Sequence, residues 1–571
     1  MIHLLSLAFA GPGTMLVGVD QLPWTPPAGE LEACWASSRV CAVRGATPEA
    51  LSDQPGVRYA EWDRPMQLQG GPVVGGTNQC PDPHELASIE VQDVWDAGTW
   101  GVDAPVVAVQ DAGFRTSHVD LLGRIAGGYD YGDDDPLPEV SQLAWVPAHG
   151  TFVAGIVAAN ADNVGRTGVA PSAELFLQKI ADSNGALFFS YAIDAMDDLV
   201  AAHPEVGILN YSIAASNPPV AFDDAVQALG DADILLVAAA ANCGYPNCFD
   251  ADNDQYPIFP SSYPYDHVVS VASLRPDGSL DPYSHFGATS VELAAPGADV
   301  CSLDVDSDTD TTTSSGTSYA TPVVAGTAAL VREAFPRLTA AEVVEALCYG
   351  AEVTGATTGK VACGALSAPG ATTLPVVDLL GSPDVTVDGS GTFTLGLDSR
   401  GAAHDAELVL VLPASLVTAP GGSRVTVAVP ADATVDVDVV LEAVGTGSDT
   451  ATWTLTLPSG EVLDGSFTVD AVEPTTPTPT GVDTGTDTVD DTGVDSAIDT
   501  ATPTPPTATA DTGGPPGTTP PTDTGTAGSA DDEVGPLEGK HGDGGCGCSS
   551  GSGAGGLGLG LLALVLVRRR R

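Results

Sequence analysis

Three short stretches each place a reactive side chain beside glycine and next to an apolar run. VVAVQDAGF contains Asp111, HGTFVAGIVAA opens with His149, and SSGTSYATPVVAGTAAL contains Ser318. A serine hydroxyl is a poor nucleophile at neutral pH, because it needs a base to take its proton and a carboxylate to hold that base in the right tautomer. Aspartate, histidine and serine supply these groups. The pattern therefore predicts nucleophilic catalysis.

Each stretch also predicts the element that positions its reactive residue. The β-branched run VVAV is typical of a buried parallel strand, which ends at Asp111, and open α/β sheets bind ligands at such carboxyl ends. TFVAGIVAAN suits a buried helix with His149 in its first turn. Pro322 suits the first turn of a second apolar helix. Ser318 is then expected at a helix N-terminus, where backbone N–H groups can face a developing oxyanion.

In their order along the chain and in their residues, these motifs resemble those of the subtilisin-like serine peptidases (subtilases), over about residues 87–371. HGT-x-VAG and GTS-x-ATP are the most specific parts of the resemblance. It implies an α/β fold with a parallel sheet and helices on both faces. It also implies a serine endopeptidase that hydrolyses peptide bonds through an acyl-enzyme, with Asp111, His149 and Ser318 as its triad.

The resemblance extends to residues that would contact the substrate. The run ILLVAAAAN ends at Asn242, in the place of the family's oxyanion-hole asparagine. ILNYSIAAS places Ser212, Ile213 and Ala214 on the strand that binds the substrate backbone. Ala214 stands where glycine is usual, and its methyl group is expected to narrow specificity.

Four further positions depart from the family pattern, and none removes a proton-transfer group. They are Ala112 for a serine or threonine, Phe152 for a second histidine, Ala241 for a glycine and Tyr319 for a methionine. The alternative to an active enzyme is a catalytically inactive member of the fold that serves as a surface adhesin or binding protein.

Two segment lengths match subtilisins that bind calcium, and hard oxygen ligands suit that cation. The resemblance maps carboxylate ligands onto Asp120 and Asp162, and backbone oxygen ligands onto Asn160, Val164 and Arg166. The alternative is an Asx turn at Asp162 and a strand-end Asp120. Three other Asp-rich stretches, 133–135, 250–254 and 304–310, are typical of solvated loops.

Composition bounds the partners and the compartment. The chain has 571 residues, with 19 Lys and Arg against 75 Asp and Glu, a formal charge of −56. This balance argues against nucleic-acid binding, because phosphate contact needs a basic surface. The expected partners are protein or peptide substrates. The acidity indicates a well-solvated surface.

The N-terminal residues predict export and an inhibitory segment. Residues 1–10, ending Ala8-Phe9-Ala10, resemble a secretion signal. Residues 11–70 are expected to form a pro-segment, because ALSDQPGVRYAEWDRP resembles the end of subtilase inhibitory propeptides. In the family such a segment assists folding, blocks the cleft and is cut away, here within Gly70–Gly76. An ordinary N-terminal extension is the alternative.

The spacing of the cysteines indicates local disulfides and an oxidising compartment. The candidate pairs are Cys34 with Cys41, Cys243 with Cys248 and Cys348 with Cys363, which leaves Cys80 and Cys301 as a fourth pair. A zinc site is the weaker alternative, since no His-Cys cluster has ligand spacing.

Beyond the predicted peptidase domain (71–371) the pattern changes three times. Alternating residues over 374–472 predict an antiparallel β-sandwich of about seven strands. Residues 473–540 are Thr-, Pro- and Asp-rich and are expected to form a disordered stalk.

Residues 541–571 combine two cysteines, a short apolar run and terminal arginines. This order resembles the C-terminal sorting signals of myxobacteria and relatives. It implies cleavage near Cys546 or Cys548 by a sorting protease, and display on the cell surface or outer membrane of a Gram-negative bacterium, or release to the medium. A plain transmembrane anchor is the alternative, although the apolar run is short for one.

Overall fold

The computed structural model describes residues 13–68, 74–77, 80, 83–140, 148–162, 164–243 and 251–472. The predicted signal peptide, stalk and sorting tail therefore lie outside the described residues. Within the described part of the chain, no helix is both long and apolar enough to cross a membrane.

The N-terminal residues form a small antiparallel sheet with a short helix. Its elements are β1 (Thr14–Val19), β2 (Glu30–Trp35), β3 (Val40–Arg44), α1 (Pro48–Leu51) and β4 (Val57–Trp62). The strand order is β2-β3-β1-β4. Met15, Val17 and Leu51 belong to a core of its own. Leu16 and Val40 join the core of the following domain, so one face of this sheet is packed against that domain.

The central domain is built on parallel strands. Its strands, with the two segments that lead into it, are β5 (Gln67–Leu68), β6 (Val74–Thr77), β7 (Val106–Asp111), β8 (Ile125–Asp130), β9 (Leu175–Lys179), β10 (Val206–Tyr211), β11 (Ile213–Ala214), β12 (Leu235–Ala239), β13 (Val268–Leu274), β14 (Leu293–Pro296), β15 (Val300–Leu303), β16 (Thr311–Ser314) and β17 (Gly364–Ala365).

Its helices are α2 (His84–Ser88), α3 (Val91–Asp96), α4 (His149–Ala158), α5 (Phe189–Ala202), α6 (Val220–Asp231), α7 (Thr317–Ala334), α8 (Ala340–Tyr349) and α9 (Ala368–Ala371), with a 3₁₀ turn at Val119–Leu121.

Eight strands form one parallel sheet in the order β17-β14-β13-β12-β10-β7-β9-β8. Successive residues of β7 point to opposite faces. Val107 and Val109 pack into a core with α4 and α7, while Val106 and Ala108 pack into a core with α5 and α6. Helices thus cover both faces, which explains why β7, β9, β10 and β12 are buried along their whole length. The predicted parallel sheet with helices on both faces is confirmed.

Carboxylates connect the N-terminal sheet to α5 and α6. At the end of β2, Trp35 Nε1 donates to Asp194 of α5 at 2.6 Å. At the start of α5, the Asp63 carboxylate accepts from the Ser190 backbone N–H at 3.2 Å and from its hydroxyl at 2.6 Å. Glu61 accepts from Ala221 N, near the start of α6, at 3.1 Å. The Asp63 and Glu61 carboxylates accept from backbone N–H groups in the first turns of α5 and α6, which have no partner within the helix.

The C-terminal region has more strands than the sequence pattern predicts. Nine strands follow over residues 377–472: β18 (Val377–Gly381), β19 (Val385–Asp388), β20 (Ser390–Ser399), β21 (His404–Val411), β22 (Val417–Thr418), β23 (Arg424–Val429), β24 (Ala433–Ala443), β25 (Gly447–Thr456) and β26 (Val462–Val472). All strand pairs are antiparallel except β19–β26. The prediction of about seven missed the edge pieces such as β22, whose two residues give no alternation.

Eight of these strands are hydrogen-bonded in one continuous path, β18 pairs with β20 beside it, and the strands enclose one core. The rings of Phe393 and Phe467 stack with centroids 4.2 Å apart within it. Two arginines dock this region on the central domain: Arg337 binds Asp398 at 2.9 Å, and Arg400 binds Glu342 at 2.5 Å.

Three disulfides are formed among the described residues: Cys34–Cys41, Cys80–Cys301 and Cys348–Cys363. The first and third confirm the local pairs, and the second joins the two cysteines that were left over. Cys243 is also disulfide-bonded, whereas Cys248 lies outside the described residues.

Candidate active site

The end of β7 and the start of α4 bring a carboxylate and an imidazole together. His149 Nδ1 lies 2.9 Å from Asp111 Oδ1 and 2.8 Å from Oδ2, and both side chains are buried. Gly150 makes this approach possible. A Cβ at that position would lie 2.5 Å from the carbonyl oxygen of Gly113 and 3.0 Å from Asp111 Cβ. Any side chain there would push the imidazole away from the carboxylate.

Ser318 lies in the first turn of α7, which packs beside α4. Its hydroxyl donates to the carbonyl oxygen of Ser212 at 3.1 Å, and the Ser212 hydroxyl donates to the Ser318 carbonyl at 2.9 Å. His149 Nε2 makes no hydrogen bond with the described residues. The structure thus joins Asp111 to His149 directly and turns the Ser318 hydroxyl toward the substrate strand. Rotation about one side-chain bond would redirect that hydroxyl, and catalytic contacts are often loose without substrate.

Asn242 lies beside the N-terminus of α7. Its side-chain oxygen accepts from the backbone N–H of Thr317, the residue before Ser318, at 3.0 Å. Ala241, which precedes it, has φ = 93°. Only glycine adopts this region without strain. The strain explains why glycine is the usual residue here in the family.

Two of the departures from the family pattern lie against each other. The rings of Phe152 and Tyr319 have centroids 4.4 Å apart, and Tyr319 also lies 5.6 Å from the His149 ring. Burial raises the pKa of Tyr319 to about 12, so it stays neutral beside the imidazole. At a third departure, Ala112 N donates to Asp111 Oδ1 at 2.7 Å, so the backbone contributes one hydrogen bond to the carboxylate.

The predicted substrate strand already has a partner. Residues Ile213 and Ala214 form β11, which pairs antiparallel with β5 in the register Ile213–Leu68 and Ala214–Gln67. On the other side of the same segment, Met66 N donates to Leu187 O at 2.9 Å. The end of the N-terminal segment is therefore bound in extended form between two edges of the central domain.

The five residues of the predicted cation site lie near the 3₁₀ turn, apart from the reactive residues. Asp120 Oδ2 accepts from Arg166 N at 3.1 Å, while Oδ1 is buried without a hydrogen bond. Burial raises the pKa of Asp120, and the charge of Asp162 adds to the shift. A Cβ on Gly165 would lie 2.0 Å from Asp120 Oδ2.

The donors that the predicted ligands offer at this turn are oxygen atoms, which suit a hard cation. An unpaired carboxylate oxygen next to a second carboxylate is the arrangement that Ca²⁺ neutralises. Asp162 Oδ1 also accepts from Val164 N at 2.9 Å, as in the alternative Asx turn. Asn160 N donates to Asp120 O at 2.9 Å. No three His, Cys, Asp or Glu side chains among the described residues converge as metal ligands.

Comparison with known proteins decides the family. The Subtilase family model matches residues 103–365. The major intracellular serine protease of Bacillus subtilis is 32% identical over 253 residues, which are 44% of this chain and 75% of that protein. The chain belongs to the subtilase family. Its class is that of the subtilisin-like serine endopeptidases.

Other relatives differ in the share of their own length that this chain covers. The thermostable alkaline protease of Halalkalibacterium halodurans is 35% identical over 257 residues, 45% of this chain and 64% of that protein. The minor extracellular protease Epr of Bacillus subtilis is 32% identical over 260 residues, 44% of this chain and 35% of that protein. The relatives thus include an intracellular and an extracellular protease. The matched residues are less than half of this subtilase in each of these comparisons.

Sequence reasoning missed two residues that contact the backbone before Asn242. Asn253 lies in an Asp-rich stretch that predicts a solvated loop, yet only 1% of its surface is exposed. It bonds to Ala240 and to the buried His285. A lone asparagine inside an acidic run carries no signal of burial, so the sequence offered no means of finding it.

The strain at Ala241 generates a stability prediction. We expect Ala241→Gly to raise the free energy of unfolding by about 1 kcal/mol, because relief of a strained backbone is worth ~1–3 kcal/mol and the extra freedom of glycine costs about 0.5–1 kcal/mol. Thermal unfolding should show a melting temperature about 2–4 °C higher. Ala241→Val, which is β-branched, should melt lower than the parent. A glycine variant that melts below the parent would contradict the strain.

Proposed function

We propose that this subtilase is an active endopeptidase that cleaves exposed segments of proteins. The observation that carries the proposal is the buried Asp111–His149 contact at 2.8 Å, next to a serine in the first turn of a buried helix. Burial of an unpaired carboxylate costs free energy. The imidazole offsets this cost by pairing with the carboxylate, and the pair is the arrangement that activates a serine nucleophile. No described contact favours the adhesin alternative.

In the proposed mechanism, the Ser318 hydroxyl turns from Ser212 to His149 when substrate binds. His149 Nε2 takes the proton as Ser318 Oγ attacks the scissile carbonyl, and Asp111 stabilises the resulting imidazolium. The side-chain amide of Asn242 and the Ser318 backbone N–H donate to the tetrahedral oxyanion. His149 then gives its proton to the leaving amine, and water hydrolyses the acyl-enzyme in the same way.

Replacing the nucleophile tests this role. Ser318→Ala should abolish hydrolysis of casein and labelling by a fluorophosphonate, and should leave the melting temperature within about 2 °C, since the lost hydroxyl makes one hydrogen bond. Ser212→Ala is the matched control, because it removes the facing hydroxyl and keeps the carbonyl. Near-normal hydrolysis by Ser318→Ala would remove the triad, and an unlabelled parent protein would favour the adhesin.

We also propose that residues 11–70 are the inhibitory pro-segment. The antiparallel register of β5 on β11 supports this, because it is the pairing that a substrate strand would use. Ser212, the residue before β11, contacts Ser318 through its carbonyl oxygen. The cut is expected shortly after Leu68, within the Gly70–Gly76 stretch.

The contact between pro-segment and α5 has a predictable pH dependence. Burial raises the pKa of Asp63 to about 6 and that of Asp194 to about 7, and the charges of Asp197, Asp198 and Asp134 add to the second shift. In water both carboxyls would titrate near pH 4. The joined form therefore binds more protons than the separated parts. Its stability is greatest at low pH and is lost as the pH rises through about 6–7.

We expect the self-cleaved pro-segment to co-elute with the peptidase domain at pH 5 in gel filtration and to separate at pH 8.5. Asp194→Asn should separate less than the parent at pH 8.5, because asparagine accepts the bond from Trp35 without a charge and only Asp63 still ionises. Asp266→Asn, an exposed substitution away from this contact, is the control. Separation at the lower pH alone would reverse the sign and contradict the assignment.

We further propose a structural Ca²⁺ bound by the Asp120 and Asp162 carboxylates and by the backbone oxygens of Asn160, Val164 and Arg166. The orphaned Asp120 oxygen supports it. Because a cation that binds only the folded chain stabilises it, Ca²⁺ at 100 times its Kd should raise the melting temperature by roughly 5–10 °C over chelator. Asp162→Asn should lose most of this increase, and Asp254→Asn should keep it. Equal melting temperatures with Ca²⁺ and chelator would exclude the site.

Export and surface display rest on the sequence. Disulfides at three places support an oxidising compartment, and an extracellular relative is consistent with export. We propose that residues 473–540 separate the enzyme from the cell envelope, and that the tail 541–571 is recognised by a sorting protease.

A further inference from the structure

Asn253 and His285 form a buried polar pair behind the predicted oxyanion donor. Asn253 is 1% exposed and His285 is 5% exposed. Asn253 Nδ2 donates to the carbonyl oxygen of Ala240 at 2.9 Å, and its Oδ1 lies 2.9 Å from His285 Nδ1. The backbone N–H of His285 donates to the carbonyl oxygen of Ala241 at 2.9 Å. The pair thus holds both carbonyls that precede Asn242.

The directions of these hydrogen bonds determine which atoms of Asn253 and His285 carry the protons. The Ala240 carbonyl can only accept, so the Asn253 amide nitrogen must face it and the amide oxygen must face His285. His285 therefore carries its proton on Nδ1 and donates. Each polar atom that the pair uses has a complementary partner, which is what a buried network needs to be rigid.

The backbone at this point needs such support. Strand β12 ends at Ala239, and Ala240 N still bonds to Val271 O at 3.0 Å. At the next residue the chain takes the strained φ of 93°. Strained backbone persists only where its surroundings over-determine it. The two carbonyls held by Asn253 and His285 flank the strained residue, and Asn242 follows it directly.

The pair is not required to attach its own loop. Asn253 N donates to Phe286 O at 2.7 Å, and Phe286 N donates to Ala251 O at 2.9 Å. These backbone bonds join the two segments without the side chains. The side-chain amide is directed instead at the residue next to the strained one.

We propose that Asn253 and His285 are positioning residues for the oxyanion hole, which hold Asn242 at the orientation that the transition state requires. Neither touches the substrate. The inference rests on the proposed role of Asn242. It assigns to the acidic 250–254 loop a function in catalysis through Asn242.

The test is a double-mutant cycle between Asn253 and Asn242, with rates expressed per active site after fluorophosphonate titration. Asn242→Ala should lower kcat by roughly 10²–10³. Asn253→Ala should lower kcat by about 10- to 100-fold with KM within twofold, because small misplacement of a donor has costs of this size. In the Asn242→Ala background the same substitution should change kcat less than twofold, since its target is gone.

His285→Phe provides a second route if Asn253→Ala does not fold. It keeps the backbone N–H to Ala241 and the ring shape, removes the Nδ1 donor, and should give a smaller loss of kcat that also vanishes without Asn242. Asp254→Asn is the matched control. Asp254 is the neighbour of Asn253 in the same loop, but it binds Thr289 and Ser290 and makes no bond to residues 240–242. It should leave kcat unchanged.

The outcomes separate the two proposals. If Asn242→Ala leaves kcat unchanged, the oxyanion assignment itself is wrong. If Asn242→Ala costs the expected factor while Asn253→Ala costs the same factor in both backgrounds, or costs nothing in either, the positioning role alone is overturned.

Discussion

The approach of α4 to the end of β7 is the constraint on which the rest of the site depends. Asp111 is a fully buried carboxylate, and the His149 imidazole touches both of its oxygens. That contact depends on Gly150, because a Cβ at this position would lie only 2.5 Å from the Gly113 carbonyl oxygen. The flanking helices and the parallel sheet hold this approach. In the proposed mechanism this buried acid orients His149 as the base for Ser318, on the neighbouring helix.

The parts of the site that the sequence predicts are those that lie within one contiguous run. Asp111, His149 and Ser318 each stand beside glycine at the junction of an apolar element, where strand ends and helix starts meet in an α/β fold. The predicted substrate strand and Asn242 are picked out in the sequence for the same reason. Each is identified by its immediate neighbours, and the fold brings the runs together.

What the sequence does not predict depends on contacts between distant runs or on single torsions. Asn253 and His285 are 32 residues apart, and the acidic run around Asn253 carries no signal of burial. The bond from the Ser318 hydroxyl to Ser212 depends on one side-chain rotation. The strain at Ala241 is visible in the sequence only as a departure from glycine. In the C-terminal region, the two-residue strand β22 is defined by its pairing with β24 and by no periodicity of its own.

Because of the Cys80–Cys301 disulfide, the residues before and after the proposed cut differ in whether they can leave the enzyme. Strand β5 lies on β11 before the proposed cut, while β6 lies on β16 after it. A chain cut just after Leu68 has about eleven residues between its new end and Cys80, which span at most roughly 40 Å when extended. The pro-segment can diffuse away, but the new N-terminus stays covalently tethered near β15. Even if β6 leaves its sheet, it remains at a high effective concentration and can return.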